Sequence, residues 1–303
     1  MAANRDSLNK FYADRKPYLE EIIGMGFQEW GSKYSQFLNQ KSAATGWIDM
    51  ASVSEFGLWA EKPELTDAQE DDVLQGPVAR AKVLTFAKRH IVSQEAIEDD
   101  LGDGIIANRL PGILKSGRAT MEVLGHDVLN SGFATYLTPD GVALFSASHK
   151  NIMGTTYSNL LGAADISQTG LEAAILALET MADDRNIPIM QTAAKIIIHP
   201  NSKWATQVIL GSAQKVGEGT VTSVNDMNPM FTQGLTTIES PYVTDTNSWF
   251  VQANSHDLNW HTRISPENWS DVNYVNSSVE IGARFRSATS AWDPRGIVGS
   301  AGT

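Results

Sequence analysis

Phe56-Gly-Leu-Trp59-Ala, an acidic run holding Glu61, Glu64, Asp67, Glu70, Asp71 and Asp72, and then Ala79-Arg-Ala-Lys-Val-Leu-Thr-Phe-Ala-Lys-Arg-His90 together read as a long two-armed hairpin without a core of its own. Side chains alternate between the faces of a strand. The return arm therefore puts Arg80, Lys82, Leu84, Phe86 and Lys88 on one face and Ala79, Ala81, Val83, Thr85 and Ala87 on the other. Neither face is apolar enough to found a core, and an isolated two-stranded ribbon is marginal in water. The hairpin must lie on another surface. An acidic tip and a basic return arm suit a second copy of the same chain, with opposite charges meeting between subunits. Trp59, Glu70, Asp71, Asp72, Arg80, Lys82, Phe86 and Lys88 are the residues expected at that contact.

Upstream, the first stretch scatters Phe11, Tyr12, Tyr18, Phe27, Trp30, Tyr34 and Phe37 among glycines and charges, with weak helical spacing around Leu19, Ile22 and Ile23. It reads either as an arm with aromatic anchors or as a small helical subdomain on its own chain. Phe11, Tyr18 and Trp30 are the contact candidates of the arm reading.

Downstream, Ser93 suits an N-cap, and Glu95, Glu98, Asp99 and Asp100 suit the positive end of a helix. Ile106, Leu110, Ile113, Met121, Leu124 and Val128 keep a three-or-four spacing until Ser131-Gly132 supplies a stop. Pro111 should kink or divide the helix near Arg109. If continuous, about 38 residues make a spine of roughly 57 Å. Pro139-Asp140-Gly141 marks a tight turn before a short apolar strand. Thr169 with Glu172 forms a capping box for an amphipathic helix, and Lys195-Ile-Ile-Ile-His199 is a buried type of strand ended by Pro200. Residues 211–234 read as a loop rich in Gly, Thr, Asn and Met. Short β-segments follow, with Leu258 to Ile264 and Asp271 to Val275 as separate strands.

The 303 residues, 42% of them hydrophobic, are enough for a sizeable core. The absence of cysteine excludes disulfides and cysteine-held metals. The chain starts without the apolar segment of a signal peptide and nowhere approaches the ~20 apolar residues of a membrane span, so a soluble, unexported protein is expected. A formal charge of −12 opposes wrapping of nucleic acid, which needs clustered Lys and Arg. DNA near such a protein would be enclosed rather than gripped.

Candidate catalytic groupings are weak. Asp140, Ser146, Ser148 and His149 invite a serine-hydrolase reading in which His149 activates a serine, but no nucleophile elbow accompanies them. His256 and His261 lack the spacing of a helical metal site. Gly217 and Gly219 lack the rest of a dinucleotide or phosphate loop, and the acidic run Glu98, Asp99, Asp100, Asp103 tracks a helix start more than a cation site. No catalytic residue, metal or cofactor is expected.

The order of segments is similar to that of a known family. Arm, long hairpin, spine, the run Asp140-Gly-Val-Ala-Leu-Phe-Ser-Ala-Ser-His149, capped helix, Ile-Ile-Ile-His-Pro200 and closing β-segments resemble a tailed-phage major capsid protein of the Hong Kong 97 type. The passages Gly234-Leu-Thr-Thr-Ile-Glu-Ser-Pro-Tyr-Val-Thr-Asp-Thr-Asn-Ser-Trp249-Phe and Arg284-Phe-Arg-Ser-Ala-Thr-Ser-Ala-Trp-Asp293-Pro-Arg295-Gly carry it further. The resemblance implies an α+β fold with an N-terminal arm at 1–49, an extended loop at 50–91, a peripheral domain at 92–194 and 265–303, and an axial domain at 195–264. It implies a structural protein that assembles as hexamers and pentamers into an icosahedral head shell around double-stranded DNA in the host cytoplasm. Portal, scaffold and decoration proteins would be its partners. The scaffold would be a separate protein or one already removed. Lys62, Lys82 and Lys88 show no cue for the cross-link that some relatives form, and none is expected. Two alternatives remain, an encapsulin-type nanocompartment shell and a hydrolase using His149.

Overall fold

The computed structural model describes residues 31–93, 105–214, 227–273, 275 and 278–303. Phe11, Tyr18 and Trp30 of the arm, the acidic run at 98–103 and the glycines at 217 and 219 lie outside them.

The spine is helix α2, Ile105–Asn130, preceded by a short α1, Tyr34–Phe37. Its 26 residues make a rod of about 39 Å. The helix runs on through Pro111 instead of dividing there. The one backbone donor that proline lacks falls within two turns of the described start, and a long uninterrupted helix follows it. Val128 and Leu129 are buried, and Met121 and Leu124 pack beside them, so Met121, Leu124 and Val128 of the stripe read from the sequence face inward, while farther up Leu114 is buried and Ile113 only half-buried. The helix ends where expected. At Gly132 the Phe145 ring comes so close that a Cβ would sit 2.7 Å from it.

Two four-stranded sheets flank this helix. The first has the order β1 (Asn39–Ser42), β10 (Leu258–Asn273), β11 (Ser278–Ala291), β4 (Leu84–Ser93), with β1 parallel to β10 and the other pairs antiparallel. The second has the order β12 (Ile297–Ser300), β9 (Trp249–Ala253), β7 (Ala193–Ile198), β8 (Thr236–Glu239). A separate ribbon pairs β2 (Trp47–Val53) with β3 (Gln75–Lys82), and β5 (His149–Lys150) pairs with β6 (Thr156–Tyr157).

The isoleucine run explains how the second sheet is buried on both faces. Ile196 and Ile198 face α3 (Gln168–Glu179), packing with Leu171, Ala174, Leu178, Trp249 and Val251. Ile197 faces the other way, into a cluster with Val128, Leu129, Phe145 and Phe250. A continuous apolar run is what period-two alternation requires when both sides are covered.

Four local expectations are corrected. The first arm of the hairpin is Trp47–Val53, whereas Phe56-Gly-Leu-Trp59-Ala forms no strand. The return arm is split at Val83, which is buried and donates its N–H to the Gly46 carbonyl; beyond it Leu84–Ser93 joins β11. The cap of α3 is Ser167, whose Oγ accepts from Gly170 N–H at 3.1 Å, and not Thr169. The segments Leu258–Ile264 and Asp271–Val275 fall largely in one strand, β10, because Pro266 sits at a register shift where no ladder donor is needed. The domain boundaries expected at 91/92 and 264/265 accordingly cut through β4 and β10.

Candidate assembly surface

The ribbon β2/β3 buries no residue fully: Trp47, Asp49, Ala51, Val53, Val78, Arg80 and Lys82 are exposed, whereas Ile48, Ser52, Ala79 and Ala81 on the other face are half-buried. Its cross-strand pairs are apolar at Ile48/Ala81, Met50/Ala79 and Ala51/Val78 and charged at Asp49/Arg80. Arg80 faces Asp49 and donates through Nε and Nη2 to both carboxylate oxygens, and that hydrogen bond holds the Asp49 carboxyl below its ordinary value. Trp47 lies opposite Lys82, with the Arg80 guanidinium 5.6 Å and the Lys82 ammonium 5.5 Å from its ring. Ladder pairing ends at Val53 and Gln75, followed by one closing pair in which Ser54 and Leu74 exchange hydrogen bonds.

Residues 55–74 project beyond that pair with seven carboxylates against one lysine. Trp59 is 97% exposed and Leu58 78% exposed, with Phe56 beside them. A tryptophan this bare contributes nothing to its own protomer's core. Clustered exposed apolar side chains rimmed by charge mark interaction sites.

A groove of about 650 Å³ runs along α2, lined by Tyr34, Met121 and Tyr242 together with Lys33. At its edge the Glu122 carboxylate accepts the backbone N–H groups of Lys33 and Tyr34, at 2.7 and 3.1 Å, fixing the chain where α1 begins. Burial raises this carboxyl above its ordinary value despite those two donors. One turn on, His126 is fully buried between Phe37 and Tyr242, with Nδ1 on the Glu122 carbonyl at 2.7 Å.

The contact candidates separate into two sets. Trp59, Glu70, Asp72 and Lys82 are exposed in the protomer. Phe86 and Lys88 meet their own chain, Phe86 stacked on Phe285 at 5.0 Å and Lys88 donating to Ser116 Oγ at 3.1 Å. Arg80 is engaged by Asp49, and Asp71 accepts from Gly57 N–H at 2.7 Å and pairs with Arg185 at 3.2 Å. Arg185 carries no signal in the sequence that selects it; only the return of the loop onto the turn at 183–187 does.

The hydrolase geometry is not assembled. His149 is fully buried, its Nδ1 bonded to Asp140 Oδ2 at 2.7 Å and its Nε2 to the Leu144 carbonyl at 3.1 Å. Both ring nitrogens are engaged within the protomer, so neither is aimed at a serine. Ser146 is occupied by Ser148 instead. Burial raises Asp140, but the hydrogen bonds from His149 and Thr138 outweigh it and hold the carboxyl below its ordinary value. The group is a clamp between the turn at Gly141, φ 81°, and β5. His256 and His261 are likewise used singly, by Leu258 N–H and by Ser290 Oγ. Among the described residues no three acidic or histidine side chains converge as a metal site, and no helix is long and apolar enough to cross a membrane.

A family model described as phage capsid protein matches residues 77–300, which include most of the return strand of the ribbon, the spine, the second sheet and all of the first sheet but β1. The chain belongs to the phage capsid protein family. This capsid protein is a shell-forming structural protein of a phage head. No curated protein matches its sequence. Among solved structures it is similar to the capsid of Ralstonia phage GP4, at TM-score 0.57 and 9% identity over 88% of this chain and 87% of that one. It is also similar to the Microbacterium phage Oxtober96 structure (0.55, 12%, 90% and 92%) and to that of Mycobacterium phage Che8 (0.53, 13%, 91% and 94%). At such identities the likeness is one of fold. The capsid protein has the Hong Kong 97-type α+β fold, and the nanocompartment and hydrolase readings are not favoured.

Proposed function

We propose that this capsid protein self-assembles into an icosahedral head through docking of the loop at 55–74 onto the α2 groove of a neighbouring copy. The observation that carries this reading is Trp59, bare in an acidic loop, together with a groove along α2 lined by Tyr34, Met121 and Tyr242. Phe56, Leu58 and Trp59 would enter the groove while Glu61, Glu64, Asp67 and Glu70 lie along its edge beside Lys33. Exposed ion pairs contribute only ~0–1 kcal/mol each, so charge sets register and partner choice while the aromatic anchor supplies affinity. Such a contact is head-to-tail, and head-to-tail contacts that close by rotation give rings of six or five that tile a shell.

The division into arm, extended loop, peripheral domain and axial domain belongs to the same proposal, with the loop confined to the ribbon at 47–82 and the arm ending before it, at 46 instead of 49. Portal, scaffold and decoration proteins are proposed partners, with assembly in the host cytoplasm. Double-stranded DNA is enclosed without sequence-specific contacts, in keeping with a net charge of −12.

Negative-stain microscopy of the purified chain tests this. Closed shells are expected from the parent and none from a variant with Glu64, Asp67 and Glu70 replaced by Lys. Normal shells from that variant would remove the loop from the contact.

A further inference from the structure

Arg185 stands where the paired ribbon stops and the unpaired loop begins. Its Nε donates to the Glu55 carbonyl at 3.2 Å, its Nη2 donates to the Asp72 carbonyl, and the same Nη2 lies 3.2 Å from Asp71 Oδ1. One guanidinium thus holds both legs of the loop, Glu55 on the outgoing side and Asp71-Asp72 on the returning side. Asp71 completes the collar by accepting Gly57 N–H through Oδ2, and this bond, with the nearby Arg185 charge, keeps its carboxyl below the ordinary value. The planar fork matters. A lysine ammonium is a single point and cannot span two carbonyls and a carboxylate in this geometry.

The other end of Arg185 is rooted in a stiff post. The Asp183 carboxylate accepts the backbone N–H groups of Arg185 and Ile187, at 2.8 and 2.7 Å. Asp184 receives the Arg295 guanidinium and Ile152 N–H, and Asn151 reaches Asn186 Oδ1 at 3.2 Å. None of these bonds uses the Arg185 side chain, so the post stands when that side chain is changed.

We infer that Arg185 is a positioning residue for assembly: it clamps both legs of the loop at the ribbon's exit and so presents Phe56, Leu58 and Trp59 in a pre-set direction for the neighbouring copy. The inference rests on the docking reading above and adds a residue outside the contact. Its physical basis is pre-organisation. A loop with no core of its own loses conformational entropy when it docks, and a clamp that orders it beforehand removes part of that cost.

Hydrogen exchange of unassembled Arg185→Ala protein, read with light scattering during assembly and a thermal melt, tests this. Amide exchange in 54–74 is expected to rise tenfold or more, including at Gly57, with the melt unchanged within about 2 °C and assembly at least fivefold slower at equal concentration. Arg185→Lys should recover only part of both effects, and Asp71→Ala should reproduce the faster exchange. Unchanged exchange in Arg185→Ala would overturn the inference. So would raised exchange with parental or faster assembly, since the clamp would then be structural only or a restraint. Trp59→Ala separates the two claims: it should slow assembly with exchange of the neck amides at Ser54, Gly57 and Leu74 unchanged. Normal assembly of Trp59→Ala would defeat the docking reading itself.

Discussion

Trp59 and His126 show the two extremes of what a single residue can do in this chain. Trp59 is 97% exposed, so removing it should cost the protomer no more than about 0.5 kcal/mol. As the anchor of a contact it should be worth about 2 kcal/mol or more per interface, so Trp59→Ala should raise the protein concentration needed for shells by at least about tenfold in a dilution series read by light scattering. His126 is fully buried, and burial pushes its imidazole down to about 4. The groups facing it are Phe37, Tyr242 and Glu122, whose carboxylate lies 3.6 Å away and is itself raised by burial. In the unfolded chain a histidine titrates near 6.5, so between about 6.5 and 4 the unfolded state binds the extra proton. Stability is then fully present above about 6.5 and falls as pH drops towards 4, by an amount on the order of 2–3 kcal/mol. Denaturant unfolding at pH 7 and pH 4.5 checks this, and His126→Phe should flatten the slope. Phe86 shows the limit of reading single residues from sequence. Alternation gives its face of the strand but not its partner, and the partner is Phe285 of the same chain.

Elements were legible wherever one periodicity ran uninterrupted. The spine, the isoleucine strand and the turn at Gly141 followed from spacing alone, because apolar period and turn chemistry are local properties. The cap of α3 did not follow. Ser167 and Thr169 both qualify by residue type, and the choice is made by tertiary bonds on the preceding segment. Trp249 Nε1 donates to the Ala164 carbonyl, and Ser300 Oγ bonds to the Gly162 and Ala164 carbonyls. Ser167→Ala should therefore cost about 1 kcal/mol in denaturant melts, and Thr169→Ala much less. The Asp140–His149 clamp belongs to this scale too. Removing Asp140 leaves Nδ1 of the fully buried His149 without its partner, so Asp140→Ala should cost about 1–3 kcal/mol by the same measurement. The ribbon was misplaced because Phe56-Gly-Leu-Trp59-Ala looks strand-like in composition. The true outgoing strand, Trp47–Val53, is identified by its pairing with Gln75–Lys82, a non-local fact.

At the scale of the molecule, segment order identified the fold where no single motif could. A core built from both faces of one sheet and one stripe of a long helix leaves a charged ribbon and a bare tryptophan outside it. The groove on α2 could not be read beforehand, because it forms from residues as distant as Lys33, Met121 and Tyr242. Arg185 was hidden for the same reason. Hydroxyl-radical footprinting of assembled and dissociated protein, resolved to Trp59 by mass spectrometry, tests the central claim most directly. Docking of the loop predicts Trp59 heavily modified in dissociated protein and at least tenfold protected in shells. Equal modification of Trp59 in both states would contradict the account.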